Sequence, residues 1–269
     1  MNHPFFNKPL RIVAHRGDSA YFPENTLPAF KSAAELGVDC IETDVHLTKD
    51  GVCVIWHDDT LERLTADDGL VSDMTYEELM RVDAGTRFTM DDGKTFPFRG
   101  KGVTVATLDE VLKENPHMRF NVDLKDDNTE LVEEFARVVR KNNAQDRVLG
   151  ASFYNRIIKT LRKIIPEIAS SFSEAEMRKI VILDKIGMLR FHGNFSANAA
   201  QVPEYDNRTK IITKSFIRNL HKKGVKIHIW TVNKKSEMQR FFNMGVDAVI
   251  TDNPRLLIET LKANKKISK

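Results

Sequence analysis

From Thr107 onward the chain alternates helix-period and strand-period segments without a break. That alternation constrains its fold more than any other feature. LDEVLKEN precedes MRFNVDLK, ELVEEFARVVRKN precedes RVLGASF, and RIIKTLRKII precedes EIASSF. The longer SEAEMRKIVILDKIGML precedes a strand-like ANAAQVP. Then come KSFIRNLHKKG and VKIHIWTV, KSEMQRFFNMG and DAVIT, and a closing helix PRLLIETLKAN. Alternating strands and helices imply parallel strands joined by right-handed crossovers. With LRIVA and the segment around Glu42 added, eight strands end near His15, Asp44, Lys125, Phe153, Phe172, Val202, Thr231 and Thr251. Eight such units in 269 residues predict a single-domain (β/α)8 barrel over residues 1–269, close to the usual length of about 250. No G-x-G-x-x-G follows the first strand and no G-x-x-x-x-G-K-[ST] occurs, which disfavours a nucleotide-binding open sheet.

Two departures from the plain repeat are expected. Residues 38–58 read as a β-hairpin: an apolar strand carries Glu42, Thr43 and Asp44, turns at Lys49-Asp50-Gly51, and returns through Val52–Trp56 to His57 and Asp58. Residues 59–105 are richer in Asp, Gly and Thr and hold one short helical piece, TYEELMRV, which marks an insertion over the barrel mouth.

The 41% hydrophobic content supports a real core. The +3 charge balance, with part of the excess in the C-terminal KANKKISK, reads as a solvated tail; without a basic stripe bearing interleaved aromatics, no nucleic-acid partner is expected. The N-terminal MNHPFFNKPLRIV lacks the layout of a secretion signal, and no apolar run reaches about 18 residues, so the expectation is a cytoplasmic protein without a transmembrane segment. Cys40 and Cys53, one in each arm of the hairpin, read as two reduced, buried thiols.

In such barrels the chemistry collects at the C-terminal ends of the strands. The polar residues here obey that rule. His15 and Arg16 end the first strand, Glu42 and Asp44 lie late in the second, Asp123 and Lys125 late in the third, Trp230 near the end of the seventh and Asp252 just past the eighth. Side chains two apart on a strand share a face, so Glu42 with Asp44, and Asp123 with Lys125, point together. Clustered carboxylates repel unless neutralised, and their oxygens suit Mg²⁺ or Ca²⁺. Arg16 and Lys125 offer fixed charge to an anion such as phosphate. His15 and His57 titrate near neutrality and can carry protons between oxygens. Glu24 and Asn25 read as loop-shaping. Asp58 reads as a neighbour of His57 or a turn residue, and His3, His46, His117, His192, His221 and His228 carry no special spacing. Ile186, Met188, Leu189, Phe191 and Phe195 offer apolar surface to an acyl chain, although amphipathic packing accounts for most of them.

Along nearly its whole length the chain resembles the glycerophosphodiester phosphodiesterases. The resemblance rests on ordered motifs: HRG at 15–17, PENT at 23–26, GVDCIETDVHLTKDG at 37–51 and HD at 57–58, then VDLK at 122–125, SF at 152–153, QVP at 201–203, WTVN at 230–233 and GVDAVITDNP at 245–254. It implies His15 and His57 as general acid and base, Glu42, Asp44 and Asp123 as ligands of Mg²⁺ or Ca²⁺, Arg16 and Lys125 on the phosphate, and Trp230 lining the pocket. The implied reaction hydrolyses a small-molecule glycerophosphodiester to sn-glycerol 3-phosphate and an alcohol. The family usually has glutamate where Asp123 stands, and a proline where Ala106 stands. Relatives sharing the QVP region act on lysophospholipids, so a lysophospholipase D releasing lysophosphatidic acid is the alternative. A phosphodiester-binding barrel without activity, or a barrel forming a Schiff base at Lys125, fits the residues less well.

Overall fold

In this computed structural model, which describes residues 3–267, the parallel strands form in the expected order. They are β1 (Ile12–His15), β2 (Cys40–Leu47), its hairpin partner β3 (Cys53–Ile55), β4 (Phe120–Leu124), β5 (Val148–Ala151), β6 (Ala169–Ser170) and β7 (Ala199–Val202). A small ribbon, β8 (Tyr205–Asp206) with β9 (Thr209–Lys210), precedes β10 (Lys226–Ile229) and β11 (Ala248–Thr251). The helices are α1 (Leu27–Glu35), α2 (Tyr76–Leu79), α3 (Leu108–Glu114), α4 (Thr129–Lys141), α5 (Asn155–Ile164), α6 (Glu174–Lys185), α7 (Lys214–His221), α8 (Lys235–Met244) and α9 (Pro254–Ile267).

The strand order β6-β5-β4-β2-β1-β11-β10-β7 makes eight parallel neighbours, and a single bridge from Ser171 to Ala199 joins its two ends. This is a (β/α)8 barrel, as the repeat predicts. The interior is built from small and medium residues, Val13, Cys40, Leu149, Ala169, Ala199 and Ala248, and Phe5 packs into the same cluster. Outside the strands, two larger clusters fill the space under the helices. α4 shows why: Leu131, Val132, Phe135, Ala136, Val138 and Val139 recur at three- and four-residue spacing and are all buried. Each of the larger side chains, Ala136 excepted, contributes roughly 1.5–3 kcal/mol by leaving water. Capping boxes start α3 (Thr107 with Glu110) and α6 (Ser173 with Glu176), so the absence of a proline at Ala106 leaves the start of α3 well defined.

The hairpin forms as expected. Val45 pairs with Ile55 and Leu47 with Cys53 in antiparallel register. Gly51, at φ +79°, makes the turn, and the Thr48 hydroxyl both donates to Asp50 and accepts from the Val52 amide. Cys40 belongs to the interior cluster and Cys53 to an outer one, and both are free and buried. Residues 59–105 pack Leu61, Val71, Leu79, Val82 and Val103 against Val54 and Trp56 of the hairpin. The insertion reaches the mouth through Arg63, whose guanidinium holds Glu24 and Asp58. α9 carries the backbone to Ile267, so most of KANKKISK is helical rather than a free tail, and residues 268–269 lie outside the described residues. Among the described residues no helix is long and apolar enough to cross a membrane.

Candidate active site

One cavity of about 830 Å³ opens at the C-terminal ends of the strands. His15, Arg16, Glu42, Asp44, His57, Asp123, Lys125 and Trp230 line it, whereas Asp252, also expected at the strand ends, is not in the lining and reaches the site by its contact with His15. Their meeting follows from register. β1 sets His15 beside Glu42, and β2 sets Asp44 beside Asp123 on β4. The hairpin turns the chain back so that the Trp56 amide donates to the Asp44 carbonyl at 3.1 Å, which delivers His57 to the mouth from the strand that left it.

The loop after β1 is shaped by two residues in left-handed backbone, Arg16 at φ +56° and Gly17 at φ +88°. A β-carbon on Gly17 would lie 2.8 Å from the Ala29 backbone, so only glycine fits there. Arg16 then aims Nη1 at Glu24 Oε1 (2.7 Å) and Nε toward Asp44 Oδ2 (3.3 Å). Asn25, also left-handed, donates to Asp44 Oδ2 at 2.9 Å and accepts from the Thr43 hydroxyl at 2.8 Å. Glu24 and Asn25 therefore shape more than the loop: they brace the side chains of Arg16 and Asp44.

Each histidine is anchored on its far side by an aspartate. His15 Nδ1 donates to Asp252 Oδ1 at 2.5 Å, and Asp252 Oδ2 accepts from Asn233 at 2.6 Å. His57 Nδ1 donates to Asp58 Oδ1 at 2.6 Å, and Asp58 in turn accepts from Arg63. An acceptor-only carboxylate on Nδ1 fixes the tautomer of the neutral ring and leaves Nε2 free for a reacting group. His15 Nε2 lies 3.8 Å from Glu42 Oε2. His46 repeats the pattern away from the cavity lining, with Nδ1 on Asp126 at 2.5 Å and Nε2 on the His57 carbonyl at 3.2 Å, and so ties the returning hairpin to the end of β4.

The carboxylates are crowded. Burial, reinforced by Asp44, pushes Glu42 up to about 7, and burial raises Asp123 against the pull of Lys125. Asp44 is lowered despite its burial because Lys125 and Arg16 flank it. Lys125 Nζ stands 2.9 Å from both Asp44 Oδ1 and Asp123 Oδ2, and these contacts outweigh burial and hold its ammonium charged, which argues against a Schiff-base amine. Among the described residues no three His, Cys, Asp or Glu side chains converge as they stand into a ligand cluster, with Lys125 seated between two of the carboxylates. The donor chemistry nevertheless suits a hard divalent cation. Three buried carboxylates face the same cavity, two are pushed toward protonation, and Asn121 Oδ1, in register with Glu42, is buried at the cavity without a hydrogen-bond partner.

Away from the charged centre the cavity gains an apolar stretch, Phe172, Met177, Val181, Ile182, Ile186 and Ile211, with Arg178, Lys185 and Asp206 among them. Amphipathic packing was expected to absorb most of the apolar residues past α6. Leu189 is buried and Phe195 packs partly, but Ile186, Met188 and Phe191 are exposed. α6 ends at Lys185, short of the expected helix, because the chain turns at Gly187 (φ +72°) and these side chains leave the helix's packed face.

Carboxylates, cations and two anchored histidines at the C-terminal mouth of a (β/α)8 barrel define the class of barrel hydrolases acting on anionic esters. Within that class, the chain belongs to the glycerophosphoryl diester phosphodiesterase family, whose profile matches residues 15–256. It is 35% identical to a glycerophosphodiester phosphodiesterase of Caldanaerobacter subterraneus, over 93% of this chain and 97% of the relative. A phosphodiesterase of Oleispira antarctica, solved in complex with the product sn-glycerol-3-phosphate, superposes with a TM-score of 0.77 at 26% identity, covering 94% of this chain and 97% of that one. A lysophospholipase D of Mus musculus is 27% identical over 93% of this chain and 81% of the relative.

Proposed function

We propose that the protein hydrolyses glycerophosphodiesters to sn-glycerol 3-phosphate and an alcohol with the help of a divalent cation and the His15/His57 pair. The observation that carries this reading is the convergence of two aspartate-anchored histidines and three buried carboxylates on one cavity. In this reading Glu42, Asp44 and Asp123 hold Mg²⁺ or Ca²⁺, which when bound supplies positive charge to the phosphoryl oxygens. Arg16 and Lys125 orient the phosphate, and Trp230 closes one side of the pocket. One histidine takes the proton of the nucleophile at Nε2, either water or the glycerol 2-hydroxyl on the way to a cyclic phosphate. The other gives its Nε2 proton to the departing alkoxide. The unpaired, buried Cys40 and Cys53 suit a reducing, cytoplasmic setting.

The apolar reach of the cavity along α6 supports a second reading, release of lysophosphatidic acid from a lysophospholipid. A panel of glycerophosphodiesters and lysophosphatidylcholine, each with and without Mg²⁺ or Ca²⁺, tests both. Release of sn-glycerol 3-phosphate from glycerophosphocholine only with the cation is expected. No release from any diester under any cation would end the hydrolase reading, and faster turnover of lysophosphatidylcholine would favour the second.

A further inference from the structure

We propose that the face of the protein around the barrel mouth, centred on α6 and the chain just after it, docks on an anionic lipid bilayer. Exposed apolar side chains gather there. Ile182, Ile186, Met188 and Phe191 are 61%, 64%, 47% and 67% exposed, although other faces of α6 bury Met177 and Ile180 in the normal way. Ile182 and Ile186 also line the cavity, so the exposed apolar side chains of α6 adjoin the site, with Arg178 and Lys185 between them. Scattered single apolar residues need no explanation, but a contiguous group joined to a ligand cavity marks an interaction surface.

The charge of the same face identifies the occupant. Segments 174–192 and 205–210 carry six Lys and Arg against four Asp and Glu. All four of those carboxylates are engaged locally, Glu174 by Arg178, Glu176 by Arg162, Asp184 by Asn219 and Asp206 by Asn207, and Lys210 faces Glu204, so the charge this face offers rests on Lys179, Lys185, Arg190 and Arg208. Lys185 donates to the Lys210 carbonyl and so draws the ribbon β8–β9 alongside the end of α6. Arg190 lies over the Phe191 ring at 4.6 Å, an apolar body beside a cationic head. Apolar side chains flanked by Lys and Arg on a short amphipathic element are the chemistry of an interfacial anchor on anionic headgroups. A hydrophobic protein partner would explain the isoleucines but not the cations. The inference concerns the surface and holds whichever diester the site hydrolyses.

The test uses the whole protein without substrate. Sedimentation with phosphatidylcholine vesicles, and with vesicles that also contain phosphatidylglycerol, measures binding directly. The variants are M188S/F191S and K179Q/R190Q, at positions outside the cavity lining. Binding to the anionic vesicles is expected to exceed binding to the neutral ones, to fall by about fivefold for each cation replaced, and to fall at least as far in M188S/F191S. Turnover of water-soluble glycerophosphocholine should stay at the wild-type level in both variants. Equal binding to the two vesicle types, no binding to either, or binding unchanged by both variants overturns the proposal. So does a dimer in light scattering that M188S/F191S dissociates, because a second copy would then own the face.

Discussion

His15 Nδ1 and Asp252 Oδ1 lie 2.5 Å apart although 237 residues separate them in the chain. Barrel closure makes the contact: β1 pairs with β11 in the register Ala14 to Thr251, which places the next residue of each strand side by side. The carboxylate holds the Nδ1 edge of the ring and favours its charged form. Burial alone would lower the pKa of His15, but Glu42 and Asp252 together raise it.

If Asp252 orients His15, Asp252→Asn keeps the size of the side chain and loses the charge and the dedicated acceptor. Turnover should fall by about 10–100-fold, the usual cost of removing such a partner, while KM for glycerophosphocholine changes little. The pH profile of kcat should move as well, since the charged form of His15 loses its support. Steady-state kinetics across pH distinguish this from a packing role, for which the profile would keep its wild-type position.

The crowded carboxylates predict ligand-linked stability. A cation that binds only the folded protein adds about 2.7 kcal/mol at a concentration a hundred times its dissociation constant. Thermal unfolding with saturating Mg²⁺ or Ca²⁺ should therefore rise by roughly 5–10 °C, and chelator should reverse the rise. Glu42→Gln and Asp44→Asn should remove the increment. An unfolding midpoint indifferent to both cations would take the metal site away from these residues.

His228 makes a separate prediction about acid. It is fully buried, Gln201 approaches its Nδ1 at 3.3 Å, and its Nε2 has no hydrogen-bond partner among the described residues. Burial pushes its pKa down to about 4, against the attraction of Asp247. The folded value is thus depressed below the unfolded 6.5. The stability tied to the neutral ring is fully present above pH 6.5 and is lost as pH falls toward 4, because only the unfolded chain takes up the proton in that window. The loss should be on the order of 3 kcal/mol. Denaturant titrations at several pH values should show it, and His228→Asn should flatten the slope. An unchanged slope in that variant would assign the acid sensitivity elsewhere.

Much of this structure is legible in the sequence because its polar residues fall where barrel strands end. The i, i+2 spacing of Glu42 with Asp44, and of Asp123 with Lys125, places those pairs on one face, and the Lys49-Asp50-Gly51 turn returns His57. The aspartate partners of the histidines were harder to read. Asp252 stands directly after the last strand, but its contact with His15 appears only when the first and last strands are made neighbours. Asn25 was readable as a loop residue and not as a brace on Asp44, since no spacing rule links it to a strand 19 residues on. The ribbon β8–β9 is not legible in the sequence because its arms are two residues each, too short for a strand period; its one turn signal is Asn207, at φ +51°. For the apolar residues after α6 the sequence leaves two readings, packing or an acyl surface, because a hydrophobic pattern alone does not say which apolar side chains are buried; Ile186, Met188 and Phe191 are exposed.

Turnover of glycerophosphocholine by His15→Ala and His57→Ala, measured with saturating Mg²⁺ or Ca²⁺ beside thermal unfolding of the same samples, tests the central claim most directly. Both histidines reach the same cavity, each with Nδ1 anchored on an aspartate. Each variant should lose about 10²–10⁴-fold in kcat and unfold within a few degrees of the wild type. Wild-type turnover in either variant would contradict the account, because that histidine would then carry no proton in the reaction.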